Sequence, residues 1–330
     1  MTELSSAHKH SERGAALLSV LLLVTVMSVA ALAMLETSLG ATSKARLVDA
    51  RAQLSWQIIG AQEAGLVGVE TLRNTVGGQI TEQTPNFRQS VTTPLPSGLL
   101  TTWLDDDSNC FNINALREPE AEDGTEASVF VSYEHLLASL ELGEAEVEAL
   151  RAGLVDWLDR DGTQSLSGAE DTYYGRLEPP YRAANVAAST VTELRSVRGY
   201  SQNLFQRLQP LLCARETADP SILNINTLRP QDAPLLVMAF SGALSLSDAA
   251  EILSTRPEAG WVGVEGLLAH ELIQEIAPEL RRTDLLSTRS RFLKIVGQIA
   301  YEDEVSAFTT IYALPDIAPA RIVRRMHGAT

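Results

Sequence analysis

The chain has 330 residues, 45% of them hydrophobic and 21% charged, and a formal net charge of −16. That length allows two or more packed units, and that composition excludes bulk disorder. The acid excess argues against nucleic acid as the main partner, because phosphate binding needs a basic surface.

The first element is apolar. Gly14 to Leu35 carry no charge, about the length a helix needs to cross a bilayer. A polar leader with His8, Lys9, His10 and Arg13 precedes it. Positive charge there keeps the leader in the cytoplasm and puts the rest of the chain on the other side. A secretory signal peptide and a signal anchor are the ordinary readings. Against the first, the run is long for a signal-peptide core and no small-x-small site closes it. Beyond the membrane, Leu47, Leu54, Ile58, Ala61, Gly65, Val69 and Leu72 form an apolar stripe at helical spacing. "NTVGG" at Asn74 to Gly78 should end that helix. A strand is expected around Gly98 to Leu104.

Next comes a phrase the chain uses twice. "CFNINALREPE" starts at Cys110 and "ILNINTLRPQD" starts at Ile222. The shared core is Asn-Ile-Asn-x-Leu-Arg. Asn and Thr side chains accept backbone N–H bonds, and Ile and Leu bury between them. One reading is therefore a tight turn into a helical hairpin, used twice. The other is a nucleic-acid module, since the second copy resembles a helix-hairpin-helix domain. Its hairpin, "SGALSLSD", has one glycine, no lysine and an aspartate, so phosphate would meet the wrong charge. Residues 112 to 283 read as mostly helical throughout.

Within that stretch lies an acidic loop. Numbered from Asp159, oxygen side chains fall at positions 1, 3, 5, 7, 9 and 12: Asp159, Asp161, Thr163, Ser165, Ser167 and Glu170. Hard oxygen ligands so spaced suit calcium. The match to an EF-hand is partial, because Gln164 stands where glycine is needed and Pro179 and Pro180 block an exiting helix. The plain alternative is a polar loop with helix caps. Strand-like sequence returns at Phe292 to Tyr301, Phe308 to Leu314 and Arg321 to Met326. No Ser-His-Asp or Cys-His grouping, CxxC or phosphate-binding glycine loop is present, so the chain does not read as an enzyme. Cys110 and Cys213 permit one intramolecular pairing, and the compartment decides whether it forms.

Four stretches, "RGAALLSVLLL", "CFNINAL", "GAEDTYY…PPYRAAN" and "LNINTLRP", resemble the K-type minor pseudopilins of bacterial type II secretion systems. The resemblance covers essentially the whole chain. It implies an α+β fold: a long N-terminal membrane helix packed on an antiparallel sheet, with a large helical domain inserted. It divides the chain into a leader (1–14), a transmembrane part (15–35), periplasmic helix and first strands (36–111), an inserted domain (112–283, with repeats about 112–210 and 222–283) and closing strands (284–330). It implies cleavage by prepilin peptidase between Gly14 and Ala15, then methylation, although Ala15 replaces the usual phenylalanine. Ser19 takes the fifth mature position, where most pilins carry glutamate. An intramembrane carboxylate needs a partner; a chain without one suits the tip of a short pseudopilus.

The implied partners are the I- and J-type minor pseudopilins, the major pseudopilin, the inner-membrane secretion platform and the peptidase, with no nucleic acid. The implied place is the inner membrane, spanned once, with the head in the periplasm. The implied cofactor is structural calcium on Asp159, Asp161, Glu170 and Asp171, with Ser165 or Ser167 adding oxygen. An oxidising periplasm permits the Cys110–Cys213 bond. The competing functional class is a membrane-anchored helix-hairpin-helix protein that binds DNA in an uptake system.

Overall fold

The computed structural model describes residues 4–96, 98–117, 125–301 and 304–328, with side chains beyond residue 14 and outside 125–127. Residues 1–3 of the expected leader lie outside that set. One helix, α1 (Leu4–Val76), runs unbroken from the leader into the head. It contains no proline, and its hydroxyls bond back onto their own helix. Thr25 donates to the Leu22 carbonyl at 2.8 Å and Ser28 to that of Val24 at 2.8 Å, so neither brings an unpaired polar group into lipid. Two left-handed glycines, Gly77 and Gly78, stop it as expected, and the Gly78 N–H returns to the Arg73 carbonyl at 3.2 Å.

The distal half of α1 lies on a five-stranded antiparallel sheet. The strands are β1 (Ser90–Leu95), β2 (Gly98–Asp106), β7 (Phe292–Tyr301), β8 (Glu304–Ala313) and β9 (Arg321–His327), paired in that order. Leu54 and Ile58 pack with Ile299 and Phe308, and Val69 packs with Leu293 and Tyr312. Gly65 is required here, since a Cβ would sit 2.4 Å from the Tyr312 hydroxyl. The predicted stripe holds except at its proximal end, where Leu47 is exposed and Ala50 is buried instead. β1 is absent from the sequence-based expectation. Pro94 and three exposed residues in a row mark it as an edge strand, where a missing N–H costs no ladder bond.

Between β2 and β7 the regular structure is mostly helical, in short helices joined by long irregular connections. α2 (Thr125–Ala138) and α3 (Glu144–Leu158) follow the first repeated phrase. α4 (Asp171–Tyr174) and α5 (Gln202–Leu208) come next, then α6 (Ala233–Ala239) and α7 (Leu246–Ser254) after the second phrase. Two single turns, α8 (Val264–Leu268) and α9 (Glu271–Gln274), complete the set. Two short parallel pairs brace these helices: β3 (Phe111–Asn112) with β4 (Leu212–Cys213), and β5 (Leu223–Asn224) with β6 (Leu286–Ser287). One apolar core runs through both halves, from Ile113 and Leu116 to Ile225 and Leu228, all fully buried. Cys110 and Cys213 are bonded, with Cα atoms 5.6 Å apart and a sequence separation of 103.

Candidate functional sites

The repeated phrase builds the same clamp twice. In each copy the first asparagine turns the chain: Asn112 Oδ1 accepts from the Asn114 N–H at 3.2 Å, and Asn224 Oδ1 from the Asn226 N–H at 3.0 Å. The second asparagine then pairs its whole amide with one distant residue's backbone. Asn114 accepts from the Ala188 N–H at 2.8 Å and donates to the Ala188 carbonyl at 2.9 Å. Asn226 does the same with Trp261, at 2.7 and 3.0 Å. A primary amide carries one acceptor and two donors, so it pairs with a peptide as a neighbouring strand would. The α6–α7 hairpin turns at Ser241 and Gly242 and carries Asp248 in the first turn of α7. It offers no lysine to hold phosphate.

The second clamp also joins the sheet. Asp106, buried at the end of β2, accepts from Asn224 Nδ2 at 3.2 Å, Thr227 Oγ1 at 2.7 Å, Ser290 Oγ at 2.5 Å and the Ser108 N–H at 2.8 Å. Arg88 pairs with Asp105 and Glu82 and donates to the Thr227 carbonyl. These groups come from the pilin-like half and from the second repeat, so they fasten the two halves together.

The acidic loop leaves the end of α3 and folds back on it. Fully buried Asp156 accepts from the Ser165 hydroxyl at 2.5 Å and the Ser165 N–H at 3.0 Å. Ser167 donates to Glu148 at 3.3 Å. Exposed Asp161 accepts from the Thr163 N–H at 2.7 Å. Asp171 accepts from the Ala183 N–H at 3.0 Å and lies 3.8 Å from Arg182. Of the six expected ligands, then, Ser165, Ser167, Asp161 and Asp171 each have protein partners, and Glu170 Oε2 accepts from the Asp171 N–H at 3.3 Å, capping α4.

Three oxygens do not. Asp159 Oδ1, Glu170 Oε1 and Asn185 Oδ1 are buried and unpartnered. Burial first, then the charges of Asp161, Asp156 and Glu170, push the Asp159 carboxyl up to about 7. Glu170 is also raised, chiefly by burial. Two carboxylate oxygens and one amide oxygen, all deprived of hydrogen bonds, fit a hard cation such as calcium. Among the described residues no three His, Cys, Asp or Glu side chains form a cluster of their own, so an amide or backbone oxygens would have to complete such a site. Asn185 was missed by spacing arguments, because it reaches the loop only through the fold. The signal was its place at the end of "PPYRAAN".

At the membrane end, Gly14, Ala15 and Ser19 lie within α1. Ser19 is exposed and donates to the Ala16 carbonyl at 2.8 Å, so its hydroxyl needs no partner outside its own helix.

The family described as "Type II secretion system (T2SS), protein K" matches this chain over residues 109–217 and again over 223–289. The chain belongs to that family. Each match takes in one copy of the repeated phrase. Within the family, protein K of Pectobacterium carotovorum is 34% identical over 78% of this chain and 79% of its own length. Protein K of Aeromonas hydrophila is 35% identical over 75% and 77%, and that of Klebsiella pneumoniae 30% over 89% and 91%. A solved structure, the GspK-GspI-GspJ complex from the type 2 secretion system of enterotoxigenic Escherichia coli, contains a chain with TM-score 0.74 and 25% identity. It covers 87% of this chain and all of that one. The α+β fold and the role of a minor pseudopilin in type II secretion follow. The α1 segment is long and apolar enough to cross a membrane, which suits a single-pass anchor.

Proposed function

We propose that this chain sits at the tip of the pseudopilus, where it starts and caps assembly with I- and J-type minor pseudopilins for protein export. Ser19 carries the reading. Its hydroxyl closes on the Ala16 carbonyl at 2.8 Å, so no charge in the membrane calls for a subunit below. The helical domain supports it sterically, because a bulk of that size beside α1 suits only a place with nothing stacked above. The complex solved for the E. coli relative supports the two partners. In this reading prepilin peptidase cuts between Gly14 and Ala15, the new N-terminus is methylated, and the head lies in the periplasm. The major pseudopilin and the inner-membrane platform are further partners. The action is non-covalent: no step of bond making is assigned to any residue.

Calcium belongs to this proposal as a structural ion. Asp159 and Glu170 would hold it, and the ion would neutralise two carboxylates that burial disfavours. Mass measurement on the mature protein tests the processing. A mass beginning at Ala15 with one added methyl group is expected; an intact Met1 or a cut near Leu35 overturns it. Labelling along isolated fibres tests the position, and label distributed down the shaft overturns the tip.

A further inference from the structure

We propose that the free edge of β1 takes up an extended, uncharged strand of another protein, whose alternate side chains fill the groove between α1 and the β1–β2 hairpin.

The two edges of the five-stranded sheet are built differently. β9 closes one side with Arg321, Arg324 and Arg325, and its pairing with β8 is interrupted between Ile311 and Tyr312. Arg324 donates to the Ala214 carbonyl at 2.9 Å, and Arg325 pairs with Glu63 of α1. Charges and bulges of that kind keep foreign strands away from an edge. β1 closes the other side and has neither. Its register with β2 runs unbroken from Ser90 opposite Trp103 to Leu95 opposite Gly98. From Gln89 to Leu104 the sequence holds no charged residue, in a chain where 21% are charged. Pro94 removes one donor from this edge and leaves the others. An edge strand turns every second N–H and C=O away from its sheet, so an added strand finds backbone partners there.

The surfaces on either side of that edge set what the strand must carry. On the α1 side lies a cavity of about 470 Å³, lined by Gly65, Gly68, Leu72, Val91, Leu104 and Ile295 among others. Its floor is open, since a Cβ on Gly68 would meet nothing within 4 Å. On the far side Leu99 and Trp103 of β2 are 52% and 41% exposed, in register with Pro94 and Ser90. Successive side chains of a strand alternate between the two faces of a sheet. Every second residue of the incoming strand therefore enters the groove, and the others extend the Leu99 and Trp103 face. A charge in the groove would lose water and gain no partner, so the inward residues are apolar. A second copy of this chain is disfavoured, because each copy brings a net charge of −16 to the contact. The occupant is a neutral, alternately apolar segment of a different chain.

The test uses the full chain in lipid nanodiscs and a capped, fluorescently labelled peptide, Thr-Val-Thr-Val-Thr-Val. Binding is read by anisotropy, and amide exchange from Ser90 to Thr93 is followed with and without peptide. The peptide should slow that exchange. It should also bind more tightly than Thr-Ser-Thr-Ser-Thr-Ser by about tenfold or more, the equivalent of one buried aliphatic side chain. Gly68→Leu fills the groove from a position with room for a side chain, and Thr93→Lys puts a cation on an exposed site of the edge. Each should weaken binding by about tenfold or more. No binding to the wild type, or binding that slows exchange in β9 and not in β1, overturns the proposal. Equal affinity for the two peptides, or full affinity in Gly68→Leu, overturns the groove as the seat of the side chains. If β1 exchange slows with protein concentration alone, the occupant is a second copy and the choice of partner is overturned. Should a variant fail to fold, the wild-type exchange pattern and the serine peptide decide.

Discussion

Asn226 takes the place of a strand beside Trp261. Its side chain meets both backbone polar groups of that residue, at 2.7 and 3.0 Å, in a region without water access. Asn226→Ala leaves a buried N–H and a buried carbonyl unpaired, each costing roughly 1–3 kcal/mol. Chemical denaturation should show a loss of about 2–5 kcal/mol, well above that of an exposed substitution such as Ser247→Ala. A loss below that of the exposed control would mean the pair contributes nothing. The residue type was legible in the chain: asparagine next to buried Ile and Leu announces a turn. The partners were not, because Ala188 and Trp261 follow their asparagines by tens of residues through helices of unequal length. In the acidic loop, oxygen spacing picked out a row of side chains from Asp159 to Glu170 and said nothing of which hydroxyls would be captured by Asp156 and Glu148.

At the scale of elements, the last turns of α1 are strapped to the loop between β8 and β9. Glu70 accepts from the Ala320 N–H at 2.8 Å, and Arg73 donates to the Pro315 and Ala318 carbonyls at 2.9 and 2.7 Å. The Ala320 bond, helped by Arg73, holds the Glu70 carboxyl below its ordinary value. A pKa lowered by folding adds stability above the ordinary carboxylate range, and that stability is lost as pH falls through the lowered value. Glu70→Gln should therefore lower the unfolding midpoint at pH 7 and converge with wild type in acid. A difference that grows as pH falls would refute the strap. The acidic loop has its own tight point: a Cβ on Gly168 would lie 2.0 Å from Asp156 Oδ2. Gly168→Ala should displace Asp156 from Ser165 and destabilise the head, by about 1–3 kcal/mol for overpacking a filled site. An unchanged midpoint would show that the loop can shift freely. The long helix and four of the five sheet strands were readable from period and length. β1 was not, because an exposed edge strand carries no alternating apolar pattern.

At the scale of the whole molecule, the Cys110–Cys213 bond fixes where the helical segment leaves the sheet and where its second half begins. It closes a loop of 103 residues, and the loop-entropy model gives it roughly 4–5 kcal/mol. Cys110→Ser or reduction should lower denaturant stability by an amount of that order and raise exchange at Phe111 and Leu212, which pair beside the bond. If reduction leaves both unchanged, the β3–β4 seam stands without it. The second half is fastened differently, through Asp106 and Arg88, so the two repeats answer to different perturbations: one to redox conditions, the other to loss of a buried carboxylate.

By itself the sequence determined what depends on neighbours along the chain. It set the apolar length of the membrane segment, the period of the stripe on α1, the glycines that stop it and the asparagines that turn each repeat, because hydrophobic period and backbone preference act over a few residues. Only the tertiary structure decided what depends on return of the chain. It brought Asn185 to Glu170, Asn114 to Ala188 and Asp106 to the second repeat. It also separated the acidic side chains that face one another from those that hydrogen bonds had already claimed. Such contacts depend on where a packed core places distant segments, and no local spacing records that.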